Sequence, residues 1–311
     1  MNYIKILETG SYLPRQKVCN KEIENTLNLE NSYIEKRTGI KKRYYAKDED
    51  ITSMAIKATE NLINKIDGKK EKLDIGLIIV ATTSSKDLMP GISNQIQKRF
   101  ELKNCICLDI LAGCSGFINA FDIAKLYIET GRVKNAIIIG VDKLSEYLDE
   151  NDVGTSIILS DGAGAILIGN TKNSKQYYCN IQTEGENNEI LTCKVNEKIK
   201  MNGKEIYKYA VTKTVENINQ LLEKSNESLE NIKYIIPHQS NMKIMKAIAS
   251  RLKISMDKMY TNIETKGNTF CASIPIALDE MNGKFLLKDK DKIILLGYGG
   301  GLNTGSIMIE I

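Results

Sequence analysis

Leu111-Ala112-Gly113-Cys114-Ser115-Gly116-Phe117 is the stretch on which the fold turns. Upstream of it, residues 104–110 read as a buried strand. Downstream, residues 115–130 are apolar on several sides, which predicts a buried helix with Gly131 as its C-cap. A strand that passes through glycines into a buried helix is an α/β connection. Working outward, residues 75–80, 136–141 and 164–168 read as further buried strands. The second half repeats the alternation, with helices at 205–224 and 241–252 around a short strand at 234–236. Another helix follows Asn268, with Pro275 in its first turn, where a missing N–H is tolerated. Strands at 292–296 and 305–311 close the chain. Each half ends alike, in an Ile/Leu-rich strand, a glycine-bearing connection and a final strand. The pattern predicts layered α/β packing from an internal duplication, residues 1–172 and 173–311, joined by the polar Thr171-Lys172-Asn173-Ser174-Lys175.

Four places could carry chemistry. Cys114 follows a strand and opens a helix, where partial positive charge favours thiolate; Gly113 and Gly116 leave room for a substrate. The ordinary alternative is a small buried cysteine. His238, in Pro237-His238-Gln239-Ser240-Asn241, is the one histidine of the chain and lies between a strand and a helix. Ligands gather at such strand ends in α/β folds, although a structural loop histidine fits the position as well. Asn268, in Lys266-Gly267-Asn268-Thr269, is either a helix cap or an amide donor to a developing oxyanion. Gly297-Tyr298-Gly299-Gly300-Gly301-Leu302 is not a nucleotide loop, because a strand rather than a helix follows it. It is a tight turn, or the source of a backbone N–H for an oxyanion.

Composition narrows the class. The 311 residues are 42% hydrophobic and 26% charged, an ordinary globular balance. A net charge of +4 gives no concentrated basic character for nucleic acid, although local patches for an acidic partner remain open. The seven cysteines are odd in number and lack framework or metal spacing, so reduced thiols and no metal site are expected. Cys105 and Cys107 would share one side of a strand. The start, Met1-Asn2-Tyr3-Ile4-Lys5-Ile6, shows no signal segment, and no apolar run is long enough to span a bilayer. A soluble cytoplasmic protein with no membrane partner is the expectation.

In combination and in this order, these segments resemble the β-ketoacyl-acyl carrier protein synthase III family of the thiolase superfamily. The resemblance runs over nearly the whole chain. It is carried by Ala112 to Phe117, Pro237 to Asn241, Gly267-Asn268-Thr269 with Ala272-Ser273-Ile274-Pro275, and Gly299-Gly300-Gly301 with Gly305-Ser306. Arg37-Thr38-Gly39-Ile40, residues 160–165 and residues 201–205 add to it. The resemblance implies a five-layered αβαβα thiolase-like fold from two similar halves, and a homodimer. It implies Cys114 as nucleophile, with His238 and Asn268 completing the catalytic set, and an oxyanion hole from the amides of Cys114 and Gly301. Tyr33, Arg37, Gly203, Tyr207 and Asn241 would lie along the CoA channel. Met89 would reach the partner's acyl pocket, and Lys208, Lys243 and Arg251 would suit carrier-protein docking. The implied substrates are acyl-CoA and malonyl-acyl carrier protein, with no cofactor beyond these thioesters. The implied reaction is decarboxylative condensation initiating fatty acid synthesis.

The chain departs from the family pattern in two places: Tyr33 stands where tryptophan is frequent, and Val153 where arginine is frequent. Both changes bear on CoA and leave room for a pathway-specific ketosynthase or a same-fold acyltransferase. A cysteine hydrolase or a non-catalytic paralogue is a more distant reading. Hydroxymethylglutaryl-CoA synthases place a glutamate where this chain reads Ala81-Thr82-Thr83-Ser84-Ser85, and degradative thiolases use a second cysteine near the chain end. Here nothing follows Cys271, which reads as helix packing.

Overall fold

The computed structural model describes residues 3–66, 74–173 and 175–311. The first half runs β1 (Tyr3–Tyr12), β2 (Gln16–Cys19), α1 (Asn20–Thr26), α2 (Tyr33–Thr38), β3 (Lys42–Tyr45) and α3 (Ile51–Lys65). It continues through β4 (Ile75–Ala81), α4 (Ile92–Phe100), β5 (Ile106–Ile110), α5 (Gly116–Glu129), β6 (Asn135–Asp142), α6 (Val153–Ser156) and β7 (Gly162–Thr171). The second half runs β8 (Tyr177–Thr183), β9 (Leu191–Thr192), β10 (Lys200–Met201), α7 (Gly203–Ser225), β11 (Ile232–Pro237) and α8 (Met242–Arg251). It ends with α9 (Ile263–Lys266), α10 (Ser273–Gly283), β12 (Lys292–Gly299) and β13 (Asn303–Glu310).

The continuous apolar run of β4 has a simple cause. Leu77, Ile79 and Ala81 point to one face and Ile78 and Val80 to the other, and both faces are buried. β12 does the same, with Ile293 and Leu295 on one face and Ile294 and Leu296 on the other. The first sheet has the order β1-β7-β6-β4-β5, and the second β11-β12-β13-β8. β11 and β12 are parallel, and β12/β13 and β13/β8 antiparallel. β4, β6, β7 and β1 repeat that sequence of directions. Four strands of each sheet therefore correspond one to one. The chain passes from the first sheet to the second between β7 and β8, and Ser174 of the polar stretch there lies outside the described residues.

α5 and α10 fill the space between the sheets, each touching strands of both. α3 and α4 cover the outer face of the first sheet, and α7 that of the second, with α8 packed beside it. The result is the five-layered αβαβα arrangement of the thiolase fold. Phe117, Phe121, Ala124 and Ile128 of α5 are fully buried, which is why this helix is apolar on several sides. Its cap residue is Thr130; Gly131, expected at that position, follows in the left-handed conformation at φ 74°. β5 starts at Ile106, so Cys107 lies on the strand and Cys105 before it. All seven cysteines are free. No described helix is long and apolar enough to cross a membrane.

Candidate active site

Cys114 sits in a 3-10 turn, Gly113–Ser115, between β5 and α5. The turn is pressed against the glycine turn that joins β12 to β13. Gly113 has φ 58°, and a Cβ there would lie 2.4 Å from the Gly300 carbonyl oxygen. A Cβ on Gly299 would lie 2.6 Å from Cys114 Cβ and 2.8 Å from its Sγ. Only glycine allows this approach. The backbone N–H groups of Gly300 and of Cys114 itself are directed at the thiol. The oxyanion amide was expected from Gly301; the structure turns the N–H one residue earlier toward the sulfur. Gly301 instead packs against Asn303.

Burial, reinforced by the Asp142 carboxylate, pushes the Cys114 thiol up to about 12 against the pull of those two N–H groups. The expectation of a thiolate at a helix N-terminus is therefore corrected. Here the favourable end of α5 is outweighed by the loss of water around the sulfur.

His238 follows the carboxyl end of β11, its backbone N–H donating to Leu296 O at 2.7 Å. Its Nδ1 lies 2.7 Å from Ser273 Oγ at the start of α10. The rings of Tyr298 and Phe270 meet it edge-on, with centroids at 5.4 and 6.5 Å. Burial alone lowers its pKa to about 3, so the imidazole is neutral. Asn268 is fixed by its backbone: its N–H donates to Ile158 O at 2.9 Å, and its O accepts from Ser160 N at 2.9 Å. Its Oδ1 accepts from Phe270 N at 3.1 Å, which leaves its side-chain NH2 as the free end of the amide.

Cys114 lies at the junction of two cavities. One, of about 720 Å³, also holds His238 and Asn268 and is lined toward its mouth by Tyr33, Arg37, Gly203, Tyr207, Asn241 and Lys243. Lys204 joins them, and among the described residues no carboxylate lines this cavity. Arg37 lies over the Tyr33 ring, 5.4 Å from its centroid. Val153 lines the same channel. The second cavity, of about 320 Å³, runs from the other side of Cys114 between Thr83, Leu111, Leu144, Tyr147, Leu191 and Cys193.

Not every expected residue meets these spaces. Lys208 is exposed on α7 but off the lining, and Arg251 is exposed at the end of α8, donating to Thr212 Oγ1 at 3.2 Å. Met89 is 84% exposed and lines neither cavity. Cys271 is more than helix packing: its Sγ donates to Gly113 O at 3.0 Å, directly behind the Cys114 turn. Asp142, Ser273 and Lys204 were missed. Position after a strand was the available signal for Asp142, and it was masked by the apolar run before it.

A thiol at the meeting point of a cation-lined channel and a second, largely apolar cavity, beside a neutral imidazole and a free amide, defines a thiolase-fold condensing enzyme. Comparison with known proteins gives the family. The pattern described as 3-oxoacyl-[acyl-carrier-protein (ACP)] synthase III matches residues 108–185, and its C-terminal counterpart matches residues 222–311. The β-ketoacyl-[acyl-carrier-protein] synthase III of Clostridium novyi is 38% identical over 327 residues, spanning 100% of this chain and 99% of that one. That of Clostridium acetobutylicum is 38% identical over 325 residues with the same coverage. The crystal structure of 3-oxoacyl-[acyl-carrier-protein] synthase III from Aquifex aeolicus superposes with a TM-score of 0.95 at 36% identity, covering 99% of this chain and 100% of that one. The chain belongs to the 3-oxoacyl-[acyl-carrier-protein] synthase III family and is a condensing acyltransferase.

Proposed function

We propose that Cys114 carries the acyl group and that His238 and Asn268 stabilise the enolate that attacks it. The observation that carries this reading is the placement of Cys114 between the two cavities, with His238 and Asn268 on the side of the cation-lined one. In the first half-reaction the sulfur attacks an acyl-CoA thioester. The carbonyl oxygen takes up the negative charge between the Cys114 and Gly300 amides, the C–S bond to CoA breaks, and CoA leaves with a proton. Thioester exchange is nearly isoenergetic, so the work lies in stabilising the tetrahedral oxyanion. In the second half-reaction malonyl-acyl carrier protein presents its phosphopantetheine through the same channel. The bond to the carboxylate breaks and carbon dioxide leaves. Hydrogen bonds from His238 Nε2 and Asn268 Nδ2 hold the enolate oxygen. The carbanion attacks the acyl-Cys114 carbonyl, the C–S bond breaks, the Cys114 sulfur leaves and takes a proton from solvent, and a 3-ketoacyl product forms on the carrier.

Arg37, Lys204 and Lys243 supply the positive lining for the phosphates, with Tyr33, Gly203, Tyr207 and Asn241 along the channel. Lys208 and Arg251, exposed outside the mouth, suit the acidic carrier. The protein acts as a cytoplasmic homodimer. β5 is the edge strand of its sheet, and Leu88, Met89 and Leu111 near that edge are 95%, 84% and 79% exposed. Edge pairing of two β5 strands would cover them and bring Met89 to the partner's acyl cavity. The free thiols suit a reducing compartment.

The test is an intact-mass measurement after mixing with short, branched and medium acyl-CoAs, with Cys114→Ala as control. One acyl adduct, lost in the variant, and condensation on adding malonyl-acyl carrier protein are expected. An adduct that survives Cys114→Ala, or an acylated protein that releases only free acid, would sink the reading.

A further inference from the structure

Asp142 ends β6 with its side chain fully buried, and the condensation steps do not use it. Its Oδ1 accepts from Thr82 Oγ1 at 3.2 Å, Thr83 N at 2.7 Å, Thr83 Oγ1 at 2.8 Å and Ser84 Oγ at 2.9 Å. Its Oδ2 accepts from Cys271 N at 3.0 Å. Burial without a cation is costly for a carboxylate and raises the Asp142 pKa, and five converging donors offset part of that cost. β6 is shaped for the contact: at Gly140 a Cβ would lie 2.1 Å from Cys271 O.

The partners of this one group lead to the Cys114 turn, the Asn268 turn and the second cavity. Thr83 and Ser84 line the second cavity beside Cys114. Cys271, held by its N–H, donates through Sγ to Gly113 O, the residue before Cys114. Phe270, the residue before Cys271, donates its N–H to Asn268 Oδ1. We propose that Asp142 is a positioning residue whose carboxylate locks the Cys114 turn, the Asn268 turn and the wall of the acyl cavity into one geometry. The inference rests on the roles proposed for Cys114 and Asn268. Asp142 also raises the thiol's pKa, second only to burial. The other titratable groups around the thiol are Cys271, His238 and Tyr298, which burial holds in their neutral forms. Burial raises the Asp142 pKa as well, so the positioning role is judged on decarboxylation and the thiol titration reports the charge.

The test is Asp142→Asn. With its oxygen toward Thr82–Ser84, the new NH2 faces Cys271 N–H, donor against donor, while the negative charge is gone. Three measurements are made on the full-length protein: thermal melting, the pH profile of Cys114 alkylation by iodoacetamide against a Cys114→Ala control, and decarboxylation of malonyl-acyl carrier protein. The alkylation profile should move to lower pH, a tenfold rate gain at fixed pH for each unit moved, about the ratio set by thiolate fraction. Decarboxylation should fall by roughly 10- to 100-fold, the cost of an amide displaced by up to about 1 Å. Loosening would also hydrate the thiol and speed alkylation, so the signature is slower decarboxylation in a variant that still melts cooperatively. Wild-type decarboxylation in the folded variant overturns the inference. Where Asp142→Asn does not fold, Thr83→Val removes one donor from the carboxylate, and a decarboxylation rate unchanged from wild type overturns it equally. A wild-type protein that neither acylates nor decarboxylates sinks this inference and the proposed roles together. A competent wild type with an unaffected variant sinks this inference alone.

Discussion

Asn268→Ala separates the two half-reactions. The side chain makes two contributions of different kinds. Its Oδ1 accepts the Phe270 N–H at 3.1 Å, which is structural. Its NH2 is the free end, which the proposed chemistry uses on the enolate oxygen. Removing one such donor typically costs about 10²–10³ in rate, or about 3–4 kcal/mol. The structural loss leaves a buried N–H without its acceptor, worth about 1–3 kcal/mol. For a chain of 311 residues the unfolding entropy is about 0.65 kcal/mol/K, so melting should drop by only about 2–5 °C. The assay follows acyl adduct formation by intact mass and carbon dioxide release from malonyl-acyl carrier protein, side by side. Acylation should stay within roughly twofold of wild type, because the oxyanion amides belong to Cys114 and Gly300. Carbon dioxide release should fall by the full factor. Decarboxylation at the wild-type rate in a folded variant would refute the assigned role, and parallel loss of both activities would show that Asn268 acts through the fold.

Three further outcomes follow from the geometry. Gly299→Ala places a Cβ 2.8 Å from Cys114 Sγ, so the thiol must shift by up to about 1 Å and acylation should fall by about 10²-fold, read by adduct formation over time. His238 binds its proton at about pH 3 when folded and near its ordinary 6.5 when unfolded, so between these values the unfolded chain holds more protons. Stability from this residue is present above pH 6.5 and is lost as pH falls toward 3, at about 1.4 kcal/mol per unit; melting of His238→Gln against pH should be flatter than wild type over this window. Met89→Asp buries a charge in the proposed subunit contact, and sedimentation should show monomers where the wild type sediments as a dimer.

How far the sequence was legible depends on how local each signal is. β4 and β12 were readable because burial on both faces leaves an unbroken apolar run, and α5 because contact with both sheets leaves it no polar side. His238 stood out as the single histidine between a strand and a helix. Asp142 did not, because its meaning comes from Thr82–Ser84 on a neighbouring strand end and from Cys271, 129 positions further along the chain. No periodicity encodes such a contact. Among three consecutive glycines, composition cannot say which N–H faces the sulfur; the packing of Gly299 on Cys114 turns Gly300 toward it. The thiolate expectation failed for the same reason. A helix end is a local feature, whereas desolvation is set by everything packed around it.

The resting site thus holds a thiol and a neutral imidazole rather than an ion pair, and the partner of the imidazole makes this useful. A carboxylate on Nδ1 would raise the pKa of the ring and keep the proton on that nitrogen, fixing Nε2 as an acceptor. His238 has the Ser273 hydroxyl instead, which can accept from Nδ1–H or donate to a bare Nδ1. The neutral ring can therefore offer Nε2 as an acceptor while Cys114 loses its proton, and Nε2–H as a donor while the enolate forms. Ser273→Ala keeps the neutral ring but removes the group that stabilises both tautomers. The expected result is a loss of about 1 kcal/mol or more in each half-reaction, roughly five- to tenfold in rate, with the low pKa of His238 preserved. A variant that slowed only one half-reaction would mean that one tautomer serves throughout. A variant with wild-type rates in both would show that the Ser273 contact has no part in the chemistry.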